Sequence, residues 1–153
     1  MVVMSDMLRT LVAACLPGPS HALELGSSWD DATWSIFLQL ARHHRVSALI
    51  AHAQQQGRIR HLPRGWSEQF VKDLHRCRLF HQAASARLQQ IEAAFHQASI
   101  PVIALKGPRL AEQLYPSAGL RPFEDLDILI DPPDRPRADA TLAARGYQAF
   151  HFR

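Results

Sequence analysis

The sequence predicts an α+β fold: a helical N-terminal region over residues 1–98, then a smaller mixed sheet with flanking helices over residues 99–153. Three observations predict it. Apolar residues recur at steps of three, four and seven through much of the first region, the signature of helices with one buried face. Immediately after Ser99 the pattern becomes a short unbroken apolar run, Ile100 to Leu105, too short for a helix and suited to a buried strand. Further on, Leu126, Ile128 and Ile130 alternate with Asp125, Asp127 and Leu129, a period of two that gives a strand one buried and one functional face.

The first segment, Met1 to Pro17, carries a short apolar stretch at Leu11–Leu16, with Asp6 and Arg9 before it and no small-residue cleavage site after it. It reads as neither a secretion signal nor a membrane span, which needs about 20 apolar residues. A helix is predicted from Ser28 to Arg45, opened by a capping box of Ser28 and Asp31, with Trp34, Phe37, Leu38 and Ala41 as its apolar stripe. A second runs from Ser47 to Gln56, with Gly57 as its left-handed cap, and a linker follows from Arg58 to Gly65. From Trp66 to Gln97, Phe70, Leu74, Cys77, Ala84, Leu88, Ile91 and Phe95 fall on one face of a long helix. His81 lies on that seam, where a structural role at a helix contact outweighs a catalytic one.

After the strand of residues 100–105, Gly107 and Pro108 open a helix that runs through Tyr115, since proline is favoured in a first helical turn. Pro116 to Pro122, with Gly119 inside it, reads as loop. The strand of Asp125 to Ile130 is stopped by Asp131, Pro132 and Pro133. A helix from about Pro136 to Arg145, a cap at Gly146 and a last strand from Tyr147 to Phe152 complete a β-α-β-α-β order.

Composition narrows the function classes. With 153 residues, 47% of them hydrophobic and 20% charged, the chain can bury a core and gives no reason to expect extended disorder. The net charge of +3 comes from scattered arginines rather than a basic stripe, so a nucleotide or small anionic substrate is expected ahead of nucleic acid. Cys15 and Cys77 have neither zinc-knuckle nor disulfide-scaffold spacing, which fits a reducing cytoplasm. No two of the nine histidines stand four apart, so a histidine metal site on a helix is not expected.

The chemistry concentrates at Asp125 and Asp127. Residues two apart on a strand project to the same side, so both carboxylates address one small volume. Two bare carboxylates repel each other and persist together when a cation sits between them; hard oxygen ligands select Mg²⁺ or Mn²⁺. Lys106 and Gly107 end the preceding strand at a helix start, where free backbone N–H groups favour a phosphate and the lysine adds a point charge. Arg121, four residues before Asp125, is expected either to grip a triphosphate or to brace the Asp125 carboxylate. Arg109, on the first turn of the helix, reads as a solvated surface residue before it reads as a phosphate ligand.

The segments Pro101-Val-Ile-Ala-Leu-Lys-Gly107, Leu114-Tyr-Pro116 and Leu120-Arg-Pro-Phe-Glu-Asp-Leu-Asp-Ile-Leu-Ile130 together resemble the uncharacterised bacterial nucleotidyltransferase family, part of the DNA-polymerase-β-like nucleotidyltransferase superfamily. The motif resemblance covers roughly residues 99–131, and the helical order before it is compatible. It implies an incomplete nucleotidyltransferase-type mixed sheet carrying the site. It also implies Mg²⁺-dependent transfer of a nucleoside monophosphate from an NTP to an unidentified small molecule or polypeptide. On the same basis Asp125 and Asp127 are the metal ligands, and Gly107 lies near the phosphates. The superfamily's glycine is usually followed by Gly or Ser, whereas here Pro108 follows and offers neither hydroxyl nor N–H, a gap Lys106 is expected to fill.

The resemblance also implies a third carboxylate on a later strand, and the chain stops at Arg153 as that strand begins. Asp131 has the right parity but lies about 13 Å along the strand from Asp127; Asp134 and Asp139 fall in turn and helix. The third ligand is therefore unassigned and the activity of this chain an open question. The expectation is a family member lacking its C-terminal part, with a sheet edge after Tyr147 open to a second copy or a partner chain. Two other readings stand beside the enzyme. One is a non-catalytic remnant that binds nucleotide or protein; the other is a helical interaction or nucleic-acid module in which the aspartate pair is incidental.

Overall fold

The structure is a computed structural model that describes residues 2–15, 23–24 and 29–150. Its first element is a helix, α1 (Val2–Cys15), to which the sequence reading assigned no structure. Met7 and Leu11, one turn apart on it, are buried in the main core. A two-residue strand, β1 (Leu23–Glu24), pairs in parallel with β2 (Ile59–Arg60), which lies inside the segment expected to be plain linker.

Between them stand α2 (Asp31–His43) and α3 (Ser47–Gln55). The cap of α2 is Asp30, whose Oδ1 accepts from the Thr33 N–H at 2.8 Å, so the helix starts later than a Ser28 cap would place it. Gly57 ends α3 at φ +68°, with Arg58 N–H donating to the Ala53 carbonyl and Gly57 N–H to the Gln54 carbonyl. The same paired closure recurs at Gly146, and also at Arg45 (φ 58°) and Ser99 (φ 55°), where an L side chain occupies the glycine position.

The scaffold is α4 (Arg64–Gln97), 34 residues and about 50 Å long. Its first half packs Phe70 and Leu74 into the main core with Trp34, Phe37 and Ile50. Within that core the aromatic rings stack edge to face, Phe37 lying 5.9 Å from both Trp34 and Phe70. Its second half packs Ile91 and Phe95 against a smaller cluster with Ile100 and Ala138.

The short strands β3 (Val102–Ala104) and β4 (Ile128–Ile130) pair antiparallel over that second cluster, Val102 opposite Ile130 and Ala104 opposite Ile128. Between them come α5 (Pro108–Leu114) and a 3-10 turn, Ala118–Leu120; after β4, a 3-10 turn at Pro132–Asp134 leads into α6 (Arg135–Ala143). The loop of residues 116–122 is no surface loop. Leu120 is fully buried in the main core, and Gly119 sits where a Cβ would come 2.4 Å from Arg78 Cγ and 2.9 Å from its Cα.

Two expectations about the sheet change. The run 100–105 is not buried on both faces, because Ile103 and Leu105 are 61% and 50% exposed while Val102 and Ala104 face the helices. No strand forms over the described residues 147–150: Tyr147 packs into the second cluster and its N–H returns to the Leu142 carbonyl. Residues 151 and 152 of that expected strand lie outside the described residues.

Candidate functional site

Strand register brings the two motifs together. One step beyond the β3–β4 ladder, Leu105 N–H donates to the Asp127 carbonyl at 3.0 Å. That bond sets the next residue, Lys106, beside Asp127, and Lys106 Nζ lies 3.2 Å from Asp127 Oδ2. Both side chains remain open to solvent, so this ion pair is exchangeable rather than locked.

Gly107 has φ +64° and ψ −125°, a region closed to L side chains. A Cβ there would sit 3.3 Å from the Asp125 carbonyl oxygen and 3.5 Å from the Phe123 ring. Glycine therefore does two things: it makes the turn, and it lets the turn nest against the Asp125 backbone. Pro108 then begins α5 as a buried first-turn residue.

The aspartates are not on the strand itself. β4 starts at Ile128, and Asp125 and Asp127 occupy the extended approach to it, tied to its neighbour by the Leu105 bond. Leu126, Ile128 and Ile130 pack into the second cluster under α4. By alternation Asp125 and Asp127 share the other side with Leu129, which is 51% exposed.

Arg121 forms no ion pair with Asp125, so the bracing role is absent; its Nη1 is buried without a hydrogen-bond partner. Arg109 is committed elsewhere, donating to both carboxylate oxygens of Glu92 at 3.0 Å and pinning α5 to α4. His81 is buried, with Nδ1 3.4 Å from Ser85 Oγ, Nε2 4.0 Å from Glu112 Oε1, and its ring against Phe123. It supports the helix contact, as the seam position implied.

Phe123 was missed in the sequence. It is buried two residues before Asp125, edge-on to Phe80 at 5.3 Å, near His81 at 5.8 Å and touching the Gly107 turn. It wedges the approach to β4 against α4, and the only signal for it was an aromatic residue in a proline-containing segment.

Among the described residues no group of three or more His, Cys, Asp or Glu is placed to hold a metal. Asp125 and Asp127 would offer two carboxylates. This fits Mg²⁺ as it is usually held, by one or two carboxylates with substrate phosphates and waters completing the shell. It does not fit an all-protein cage.

A lysine–glycine turn thus nests on a D-x-D segment at one end of a short sheet. The family described as uncharacterised nucleotidyltransferase matches residues 30–152, and the chain belongs to it. No curated protein and no solved structure matches the chain significantly. No helix among the described residues is long and apolar enough to cross a membrane.

Proposed function

We propose that the protein binds an NTP together with Mg²⁺ or Mn²⁺ at Asp125 and Asp127 and transfers its nucleoside monophosphate to an acceptor, a small molecule or a polypeptide. The observation that carries this reading is the contact of the Lys106–Gly107 turn with the Asp125–Asp127 segment, in a chain of nucleotidyltransferase family. Lys106 exchanges its Asp127 partner for a phosphate oxygen when the nucleotide arrives, which frees the carboxylate for the cation. Gly107 keeps the turn low enough for the phosphates to approach the backbone. Arg121, in the loop that leads into Asp125, is the second cation assigned to the phosphates in this reading. When bound, the metal supplies positive charge against the phosphate oxygens.

In the transfer an acceptor oxygen attacks the α-phosphorus, the bond to the bridging oxygen breaks, pyrophosphate leaves, and the acceptor's proton passes to solvent. No third carboxylate among the described residues joins Asp125 and Asp127 to take that proton. This favours a second reading, in which the chain binds nucleotide without turnover. The test uses α-labelled NTP, Mg²⁺ and a pool of candidate acceptors. Label transfer with pyrophosphate release that disappears in Asp127→Asn supports the enzyme; tight nucleotide binding with no transfer to any acceptor supports the second reading.

A further inference from the structure

A cleft of about 310 Å³ lies where the helical region meets the loop leading into Asp125. One wall is the end of α2 and the start of α3; another is the first half of α4, at Asp73, Arg76 and Cys77; the third is Pro122, Phe123 and Glu124. Three guanidinium groups line it, from Arg42, Arg45 and Arg76, against two carboxylates, Asp73 and Glu124.

The three arginines are held differently. Arg42 is fixed: its Nε and Nη2 donate to the two oxygens of the buried Asp73 at 2.7 and 3.0 Å. Arg76 Nη1 lies 3.9 Å from the Asp73 oxygen that already accepts from Arg42, so one buried negative charge faces two guanidiniums. Arg45 Nη2 meets Glu124 at 3.0 Å, but the Glu124 side chain is 79% exposed, so that pair is open to exchange. Arg45 also holds φ 58°, an unfavourable conformation for an arginine, at the turn that aims it across the cleft. Three positive charges against two negative leave one unit of positive charge uncompensated in a concave site.

We propose that this cleft binds a phosphate group on the acceptor, with Arg45 and Arg76 as its ligands and Arg42 as a fixed flank. Planar guanidiniums are the side chains suited to phosphate, which they engage through paired N–H donors. Glu124 directly precedes Asp125 in the chain, so one wall of the cleft and the D-x-D segment belong to the same backbone stretch. This assignment rests on the nucleotidyl-transfer reading for the word acceptor; the anion site itself does not depend on it.

Inorganic phosphate, titrated without Mg²⁺ at constant ionic strength made up with chloride, tests the cleft alone. Saturable binding is expected by calorimetry, weakened about tenfold or more in Arg45→Gln/Arg76→Gln. Glu124→Gln releases Arg45 and is expected to tighten phosphate binding severalfold, a gain that misfolding does not produce. Binding equal in the double arginine variant, or no more than chloride gives, overturns the proposal. A titration with Mg²⁺ and a nonhydrolysable NTP then separates the two sources of phosphate. Unchanged nucleotide affinity in the double arginine variant supports the acceptor, and a parallel loss assigns the cleft to the nucleotide and overturns it.

Discussion

The two halves of the molecule are built to different standards. The helical half closes around Trp34, Phe37, Ile50, Phe70 and Leu74, all essentially without solvent exposure, and draws Leu120 in from the loop after α5. The sheet half rests on Ile91, Phe95, Ile100 and Ala138, while its strands are only half covered and leave Ile103, Leu105 and Leu129 in water. Stability therefore resides mainly in the helices, and the candidate site is mounted on the thinner half by α4, the Phe123 wedge and Leu120. The proposed exchange of ion partners on nucleotide binding suits the less rigid end of a molecule.

Truncating the helical core is the largest expected effect. Phe37→Ala should cost about 3–5 kcal/mol, read by urea denaturation, whereas Ile130→Ala in the half-covered sheet should cost about 1–2 kcal/mol. Equal losses at the two positions would remove the contrast between the halves. Next comes Gly107→Ala, which meets both a forbidden backbone region and the Asp125 carbonyl. It is expected to lose about 1–3 kcal/mol and, in a separate titration, most of its Mg–NTP affinity. Retention of full affinity would mean that the turn does not shape the site.

Acid should act first on the helical half. His52, on α3, has its pKa lowered by burial first and by the charges of Arg78 and Arg58 next. The folded state therefore resists a proton that the unfolded chain accepts near 6.5. Stability from this source is fully present above that value and is lost as pH falls from it toward the depressed folded value. Urea midpoints measured from pH 7.5 to 5.5 should decline more steeply in the natural protein than in His52→Gln; parallel slopes would exclude His52 as the cause. The smallest expected effect is a gain. Ser99→Gly relieves an L residue at φ 55° between α4 and β3 and should add about 0.5–1 kcal/mol, visible as a raised urea midpoint without change in slope.

The long and periodic parts of the fold were legible in the sequence. Trp34, Phe37, Leu38 and Ala41 are the buried face of α2, and Phe70, Leu74, Leu88, Ile91 and Phe95 are buried along α4. Gly57 and Gly146 take the positive φ that their helix-end positions required. What escaped is short or depends on distant partners. The two-residue pairing of β1 with β2 has no periodicity to detect, and the start of α1 gave no clear stripe. Leu120 sits among proline and glycine, yet it is buried in the main core, with Gly119 beside it pressed against Arg78 of α4.

At the site, residue types and spacing pointed to Lys106, Gly107, Asp125 and Asp127, which the fold brings side by side. Sequence alone could not place the start of β4 after the aspartates, because period two continues through an extended segment with or without a ladder. Nor could it reveal the arginine cleft, whose lining comes from the end of α2, from the start of α3, from α4 and from the residues before Asp125. Convergence of distant, individually unremarkable arginines is a property of the tertiary fold.

The central claim is that the Lys106–Gly107 turn and the Asp125–Asp127 segment form one Mg–NTP site, and binding tests it most directly. A labelled NTP is titrated into the purified chain with and without Mg²⁺, and into Asp125→Asn/Asp127→Asn, whose fold is checked by circular dichroism. The account predicts affinity that requires Mg²⁺ and is lost in the folded variant. Equal binding by both proteins, or none by either, would contradict it.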